Sequence, residues 1–250
     1  MTPIDTGAVA LIVLVLATMP VFAVVGRNRP VDQDMATRGQ SVFLGLWLRE
    51  WLVWLITPAE QVMVSAGVSP TALNVCGLSF GLAAGVAFGA NRLPLAGCFI
   101  LLGGVADVFD GRLARARGMT SRFGAFFDST LDRFSESLTF LGVLYYFTGS
   151  GNRVLLAAAA MSGSLLVSYA RARGEALGAP SPGGLMQRAE RLVVLAVAAI
   201  ADPVMTARFG LRDGSVVLFA VALIAVGTWS TAIWRVWAVS RALRERDTTE

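Results

Sequence analysis

The chain has 250 residues, of which 55% are hydrophobic, and its mean hydropathy of +0.65 exceeds that of an ordinary globular protein. It carries 21 basic and 17 acidic residues with neither histidine nor lysine, so every basic residue is an arginine. This composition excludes imidazole base catalysis and lysine Schiff-base chemistry. The long apolar runs indicate an integral membrane protein.

Apolar segments long enough to cross a bilayer occur along the whole chain. They cover residues 7–26, 70–91, 94–116, 123–148, 154–173, 189–208 and 214–238. A membrane-spanning helix needs about 20 mostly apolar residues, and interior glycine or proline does not argue against a helix in a bilayer. The sequence therefore predicts an all-α membrane protein.

The first apolar segment has two interpretations, a cleaved signal peptide or an uncleaved helix. Its flank, Met1 to Asp5, has no positive charge, and no small-residue cleavage site precedes Arg27. We therefore interpret residues 1–40 as an extra N-terminal transmembrane helix followed by a polar linker.

Residues 41–66 form a different kind of segment, and the run Ser41 to Ile56 is predicted to be an interfacial helix. Three tryptophans recur at four- and three-residue steps, at Trp47, Trp51 and Trp54. This spacing places them on one helical face, with the charged residues off it, which is typical of an amphipathic helix lying along the membrane surface. A short buried helix is the alternative.

Four aspartates recur inside the third and fourth predicted spans. They are Asp107, Asp110, Asp128 and Asp132. Their spacing places each pair on one helical face, so two such helices side by side would direct four carboxylates at one point. Carboxylates that converge in a low-dielectric site need a cation to neutralise them, and all-oxygen ligation suits Mg²⁺ or Mn²⁺. The pattern therefore predicts a divalent metal site.

The full pattern around these acids resembles the signature of the CDP-alcohol phosphatidyltransferases. It reads Asp107-x2-Asp110-Gly111-x2-Ala114-Arg115-x8-Gly124-x3-Asp128-x3-Asp132, and every signature position is filled. The resemblance implies a six-helix transmembrane core within residues 67–243, to which the N-terminal span and the interfacial helix are additions. It also implies transfer of a phosphatidyl group from CDP-diacylglycerol to the hydroxyl of a small alcohol, with release of CMP.

The resemblance further implies roles for individual residues. Asp107, Asp110 and Asp128 would ligate metal, a pair of Mg²⁺ or Mn²⁺ ions being expected. Asp132 would accept the proton of the acceptor hydroxyl and also touch a metal. The residues implied in binding CDP-diacylglycerol are Pro70, Thr71, Ala72, Leu73, Gly111, Arg115 and Ser121. Thr71 departs from the Asn or Asp that family members often carry after the proline.

Two arginine-rich runs, Ser168 to Glu175 and Gln187 to Arg191, flank the loop between the fifth and sixth predicted spans. Positive-inside topology with snorkelling side chains is one interpretation, and a pocket for a phosphorylated alcohol is the other. The runs resemble those of phosphatidylinositol-phosphate synthases, which implies that Arg173, Arg191 and Arg235 receive the phosphate of inositol phosphate. A phosphatidylglycerophosphate synthase must also bind a phosphorylated alcohol, so it stays an alternative.

Arginines concentrate on one side of the predicted topology, within residues 27–38, 112–122, 171–191 and 241–246. The positive-inside rule then places the acidic motif at the cytoplasmic face of what we expect to be a bacterial cytoplasmic membrane. Arginines at span ends attract lipid headgroups and phosphorylated substrates, so nucleic acid is not expected as a partner. The charged tail, residues 244–250, is expected to fray.

Two rival classes remain, a membrane transporter with an intramembrane acidic site and a non-catalytic scaffold. Neither predicts Gly111, Ala114 and Gly124 at fixed offsets between the acids. The sequence therefore favours an enzyme, and the resemblance also implies a homodimer.

Overall fold

The structure, a computed structural model, describes residues 3–25, 46–119, 121–179, 183–184 and 186–248. Across these ranges all regular structure is α-helical, which confirms the predicted all-α class. The helices are α1 (Pro3–Leu16), α2 (Thr18–Val25), α3 (Leu46–Ser65), α4 (Pro70–Gly89), α5 (Leu93–Ala116), α6 (Arg122–Tyr146), α7 (Gly151–Ala176), α8 (Arg188–Phe209) and α9 (Ser215–Asp247).

The described helices fit a multi-pass membrane protein. Long, apolar segments able to cross a membrane are the α1–α2 pair, α4, α5, α7, α8 and α9. Helix α6 carries more polar residues, but its 25 residues extend about 37 Å at 1.5 Å per residue, which is also enough to cross. Each of the segments predicted from the sequence therefore corresponds to a helix or helix pair.

Helix α4 packs extensively against both α5 and α6. Its contact with α6 is close because glycines face backbone: a Cβ at Gly85 would overlap the carbonyl of Leu138, and one at Gly142 would overlap Gly85. The sequence predicted that α5 and α6 lie side by side. Instead α4 lies against both, and the acids of α5 and α6 approach each other across the space that this arrangement leaves.

The larger hydrophobic core occupies the end of the bundle away from the aspartates. Its buried members come from α4 to α9 and include many alanines beside larger side chains such as Phe88, Phe140 and Ile224. Small residues allow helices to approach closely in membrane proteins. This end of the bundle is therefore tightly packed and apolar.

One buried carboxylate closes the same end of the bundle. Asp202, on α8, is 1% exposed and accepts the backbone N–H groups of Gly214, Val216 and Val217 at 2.9, 2.9 and 3.1 Å. These N–H groups belong to the start of α9, where a helix lacks internal partners for them. Asp202 thus caps α9 and joins it to α8.

Helix α3 overlaps the predicted interfacial segment and continues to Ser65; residues 41–45 and the predicted linker, 27–40, lie outside the described residues. Its tryptophan stripe contacts α2. The Nε1 of Trp51 donates to Thr18 Oγ1 at 3.0 Å, and Phe22 lies between Trp47 and Trp54, at 5.8 and 5.7 Å between ring centroids. The stripe therefore joins the N-terminal span to α3.

The last helix runs to Asp247, past the start of the predicted tail at residue 244. Arg241 and Glu245 form an ion pair at 2.8 Å one turn apart in this stretch. Pairs of opposite charge at this spacing support a helix, which explains why it continues.

Candidate active site

Three of the predicted metal ligands meet at one point. Oxygen atoms of Asp107, Asp110 and Asp128 lie within 4.8 Å of one another. The first two are one turn apart on α5, and the third comes from α6. Three carboxylates within reach of one centre form an all-oxygen donor set, which fits a hard divalent cation such as Mg²⁺ or Mn²⁺.

Asn74 contacts this group from α4, and no sequence pattern singled it out. With its amide nitrogen turned toward the acids, Asn74 donates to Asp110 Oδ2 and, at 3.3 Å, to Asp128 Oδ1. Such a contact orients the carboxylates, as partners around metal ligands commonly do. The available signal was a polar residue one turn beyond Pro70 in an otherwise apolar helix.

Asp132 lies beside the acidic group and is paired with Arg188. The Arg188 Nη1 atom is 2.7 Å from Asp132 Oδ2 and 3.0 Å from Asp107 Oδ1. Arg188 stands at the first position of α8, which packs on α5 and so brings the guanidinium to the acids. The sequence left Arg188 between surface topology and an anion pocket, and its contacts instead join it to the acidic site.

A cavity opens between α4, α5, α6 and α8 at this point. The residues that line it are Leu73, Asn74, Gly77, Leu78, Gly103, Asp107, Asp110, Leu131, Asp132 and Arg188. Apolar and glycine surface thus faces a few convergent polar groups, an arrangement that is common in ligand sites.

The predicted donor-binding residues at the start of α4 divide between the surface and the interior. Ser69 caps the helix by accepting the N–H of Ala72 at 3.1 Å, and Pro70 occupies the first turn. Thr71 and Ala72 are exposed, whereas Leu73 is buried and lines the cavity. Of the four, Leu73 is therefore nearest to the acids.

The other predicted donor-binding residues lie around the turn from α5 to α6. Gly111 follows the buried Asp110 directly, and Arg115 is exposed in the last turn of α5. Ser121 is the N-cap of α6, where its Oγ accepts the N–H of Gly124 at 3.0 Å. Ser121 and the signature residue Gly124 thus define the start of α6.

The arginines predicted for the acceptor phosphate occupy different environments. Arg191 is 1% exposed and forms two contacts to Glu136, at 2.7 and 3.0 Å. Arg235 is 4% exposed and donates to Val167 O at 2.9 Å, while its buried Nε has no hydrogen-bond partner among the described residues. Arg173 is exposed near the end of α7.

Arg235 nevertheless belongs to a cationic group. Arg171, Arg191 and Glu175 lie close enough to act on it electrostatically, and Arg171 is itself paired with Glu175 at 2.8 Å. The structure therefore brings Arg191 and Arg235 together with Arg171, and leaves Arg173 at the surface. Glu136, one turn beyond Asp132, is the partner of Arg191 that the sequence did not identify.

The model of the CDP-alcohol phosphatidyltransferase family matches residues 68–201, more than half of the chain and all four aspartates. The chain belongs to this family. Its members are phosphotransferases, and the structure of this transferase shows the helical bundle expected of an integral membrane enzyme.

Relatives of this transferase include synthases of inositol lipids. The phosphatidylinositol phosphate synthase of Streptomyces avermitilis is 34% identical over 230 residues, which are 87% of this chain and 93% of that protein. The archaetidylinositol phosphate synthase of Pyrococcus horikoshii is 31% identical over 190 residues, 74% of this chain and 93% of its own.

Solved structures of the phosphatidylinositol phosphate synthase of Mycobacterium tuberculosis match this transferase with a TM-score of 0.65 and 27% sequence identity. One, with CDP-DAG bound, is matched over 73% of this chain and 92% of that chain. Another, in complex with manganese and citrate, is matched over 73% of this chain and 88% of that chain. These comparisons confirm the family, fold class and enzyme class predicted from the sequence.

Proposed function

We propose that this transferase moves the phosphatidyl group of CDP-diacylglycerol to a hydroxyl of inositol phosphate and releases CMP. The observation that carries the proposal is the cluster of Asp107, Asp110 and Asp128, two of which line the same cavity as Asp132. The relatives' names support inositol phosphate as acceptor, and the CDP-DAG complex of the M. tuberculosis enzyme supports the donor.

The three clustered aspartates are proposed to hold a divalent cation, either Mg²⁺ or Mn²⁺, with a pair of ions in the full site. The donor set fits such ions, and the manganese complex of the M. tuberculosis relative supports it. When bound, the cation supplies neutralisation of the donor's diphosphate charge. Asn74 contributes by orienting Asp110 and Asp128.

The transfer is a single displacement at the phosphorus on the diacylglycerol side. The acceptor hydroxyl oxygen forms a bond to this phosphorus, the bond from phosphorus to the CMP oxygen breaks, and CMP leaves with the electron pair. A hydroxyl is a weak nucleophile, so Asp132 takes its proton during the attack. Arg188 holds the Asp132 carboxylate through Oδ2 and thereby sets its direction.

The proposed donor site follows the helix ends on the same side of the bundle. Leu73 lines the cavity, and Pro70, Thr71 and Ala72 continue from it to the surface. The other residues proposed to contact the donor are Gly111, Arg115 and Ser121. A glycine lets a ligand approach the backbone closely, and an exposed arginine attracts phosphate.

The proposed acceptor site contains Arg173, Arg191 and Arg235. Arg235 carries most weight because its buried Nε has no hydrogen-bond partner among the described residues and two further guanidiniums act on it. Planar guanidinium groups bind phosphate through paired hydrogen bonds. Arg191 is assigned an electrostatic role and not direct phosphate binding, because its Nε and Nη2 atoms already contact Glu136.

The test is a screen of acceptors with the purified transferase and CDP-diacylglycerol, scored by lipid product and by CMP release. Inositol phosphate, glycerol phosphate, inositol, serine and glycerol are compared with Mg²⁺ or Mn²⁺ and after chelation. We expect phosphatidylinositol phosphate, formed only with metal. Product from glycerol phosphate alone would identify a phosphatidylglycerophosphate synthase, and activity only with unphosphorylated alcohols would reject the arginine site. No CMP release with any acceptor would reject the transferase proposal.

The proposed location is a bacterial cytoplasmic membrane, with the acids at the cytoplasmic face, in a homodimer. The arginine distribution supports this orientation. Labelling of a cysteine introduced at the exposed Arg115 by an impermeant reagent tests it in intact and opened cells, and light scattering with the detergent contribution subtracted tests the dimer. Labelling in intact cells would reverse the orientation, and a monomer mass would reject the dimer.

A further inference from the structure

Helix α3 contacts α5 on the side away from the metal ligands. Glu60 Oε2 lies 2.6 Å from Arg112 Nε, and the two side chains are only 14% and 18% exposed. Arg112 follows Asp110 by two residues, which turns it about 160° away from that acid around the helix. The ion pair therefore supports α5 from behind the acidic site.

A second arginine joins the end of α5 to the end of α3. Arg117 donates to the carbonyl oxygens of Val64 and Val68, each at 2.6 Å, and to that of Met63 at 3.2 Å. The carbonyls of Met63 and Val64 also accept the backbone N–H groups of Val68 and Gly67, so the guanidinium adds to the contacts that close the end of the helix. The turn that leads from α5 to α6 is thus fixed to α3 at its first residue.

Apolar packing connects the same elements. A buried cluster joins α3, α4 and α5 through Ile56, Leu73, Phe109 and Leu113. Leu73 also lines the cavity, so this cluster reaches the site wall. At its other end α3 is held to α2 through Trp51 and Thr18. Helix α3 is therefore anchored at both ends.

We propose that α3, through the ion pair of Glu60 with Arg112 and the contacts of its last carbonyls with Arg117, is a positioning element for the CDP-diacylglycerol site. This inference rests on the proposed function. The last turn of α5 carries Arg115, and the turn after it leads to Ser121, both of which we place on the donor. If this turn is held in one position before the donor binds, binding loses less conformational entropy and the donor affinity is higher. In this proposal Glu60, Arg112 and Arg117 act through the helix and do not touch substrate.

The experiment separates donor affinity from turnover. Glu60→Gln and Arg112→Gln are each expected to raise the KM for CDP-diacylglycerol by about 5- to 30-fold, the factor that a loss of about one or two kcal/mol of binding free energy produces. The kcat and the acceptor KM should stay within about twofold. The effect of the double variant should be clearly less than the sum of the two single effects, because both residues take part in the same ion pair.

Rescue and a control complete the design. Exchanging the charges, Glu60→Arg with Arg112→Glu, should bring the donor KM back toward that of the wild type. Arg241→Gln breaks an exposed pair of the same kind near the end of α9, and it should leave every constant unchanged. If Glu60→Gln fails to accumulate, Glu60→Asp keeps the charge, shortens the reach and is expected to raise the same KM.

Several results would overturn the inference: an unchanged donor KM, additive single and double variants, or a fall in kcat alone. Its failure differs from failure of the proposed function, because wild-type CMP release is measured first. If the wild type released no CMP, equilibrium dialysis of labelled CDP with Mg²⁺ would replace the KM. Equal CDP affinity in wild type and Glu60→Gln would then reject the role of α3.

Discussion

Arg188 and Arg191 lie one turn apart at the start of α8, yet their surroundings differ. Arg191 is 1% exposed and meets a single carboxylate, that of Glu136, through two nitrogen–oxygen contacts. The Arg188 side chain is 25% exposed and is shared between Asp107 and Asp132. One arginine forms a closed pair, and the other borders an open group of acids.

The difference shows that charge balance and solvent exposure distinguish an ion pair that holds two helices together from a group of acids that can bind a ligand. In the closed pair one positive group balances one negative group, so the pair attracts no further cation. Beside Arg188 the acids outnumber the nearby guanidinium, so the group still favours a further cation. The arginines look alike in the sequence, and their partners decide what each of them does.

The strongest test of the open group is Asp132→Asn. Removal of a general base is expected to lower kcat by about 10²- to 10⁴-fold, while Mg²⁺-dependent CDP binding is retained. CMP release and equilibrium dialysis measure the two quantities. Asp213→Asn, an exposed change near the start of α9, is the control and should retain full activity. Wild-type turnover in Asp132→Asn would reject the base assignment.

The closed pair is broken by Arg191→Gln. An uncompensated Glu136 would remain buried, which typically costs about 3–5 kcal/mol of stability. We expect a clear fall in the unfolding temperature in detergent. Replacing both partners, Arg191→Met with Glu136→Leu, should recover much of that loss, because no charge is then left unpaired. An unchanged unfolding temperature in the single variant would show that the pair does not brace α8 against α6.

Arg188→Gln should affect activity much more than stability. Loss of the group that orients Asp132 is expected to lower kcat by about 10- to 100-fold. Removing one positive charge beside the acids should also tighten Mn²⁺ binding, which electron paramagnetic resonance of free Mn²⁺ measures. If Arg188→Gln lowered the unfolding temperature as much as Arg191→Gln does, the proposed difference between the two arginines would be rejected.

The smallest expected effect concerns the close contact between α4 and α6, because α6 carries an acid of both the closed pair and the open group. Gly85→Ala would press α4 against Leu138 of α6, the helix that carries Glu136 and Asp132, at a cost of about 1–3 kcal/mol. Gly104→Ala is the matched control, since a Cβ there meets nothing within 4 Å. The unfolding temperatures of the two variants should differ, and equal values would contradict a close α4–α6 contact.

Much of the fold follows from local sequence. Apolar runs of membrane-spanning length predicted the spanning helices, and the helical period predicted that Asp107 and Asp110 share a face. The position of α4 against both α5 and α6 was not predicted. It depends on contacts such as that of Gly85 with Leu138, which join residues far apart in the chain and leave no local signal.

The site divides in the same way. The shared face of Asp107 and Asp110 follows from their spacing, because that spacing acts within one helix, whereas their approach to Asp128 depends on how α4, α5 and α6 pack. Asn74 and Glu136 act through partners on other helices, so neither could be recognised from its neighbours in the chain. Arg191 shows most plainly what local sequence cannot predict, because an arginine at the end of a span has the same neighbours in the chain whether it faces a ligand or a buried carboxylate.

The glycine contact between α4 and α6 also restricts how this chain can vary over time. Gly85 and Gly142 lie against each other's helices, and an added methyl group on either would overlap the other backbone. A larger residue at either position cannot be compensated by a smaller neighbouring side chain, because the atoms that it would overlap belong to the backbone. These two positions are therefore expected to be among the least tolerant of substitution in a library of all variants, whereas the lipid-facing positions beside them are expected to tolerate most apolar residues.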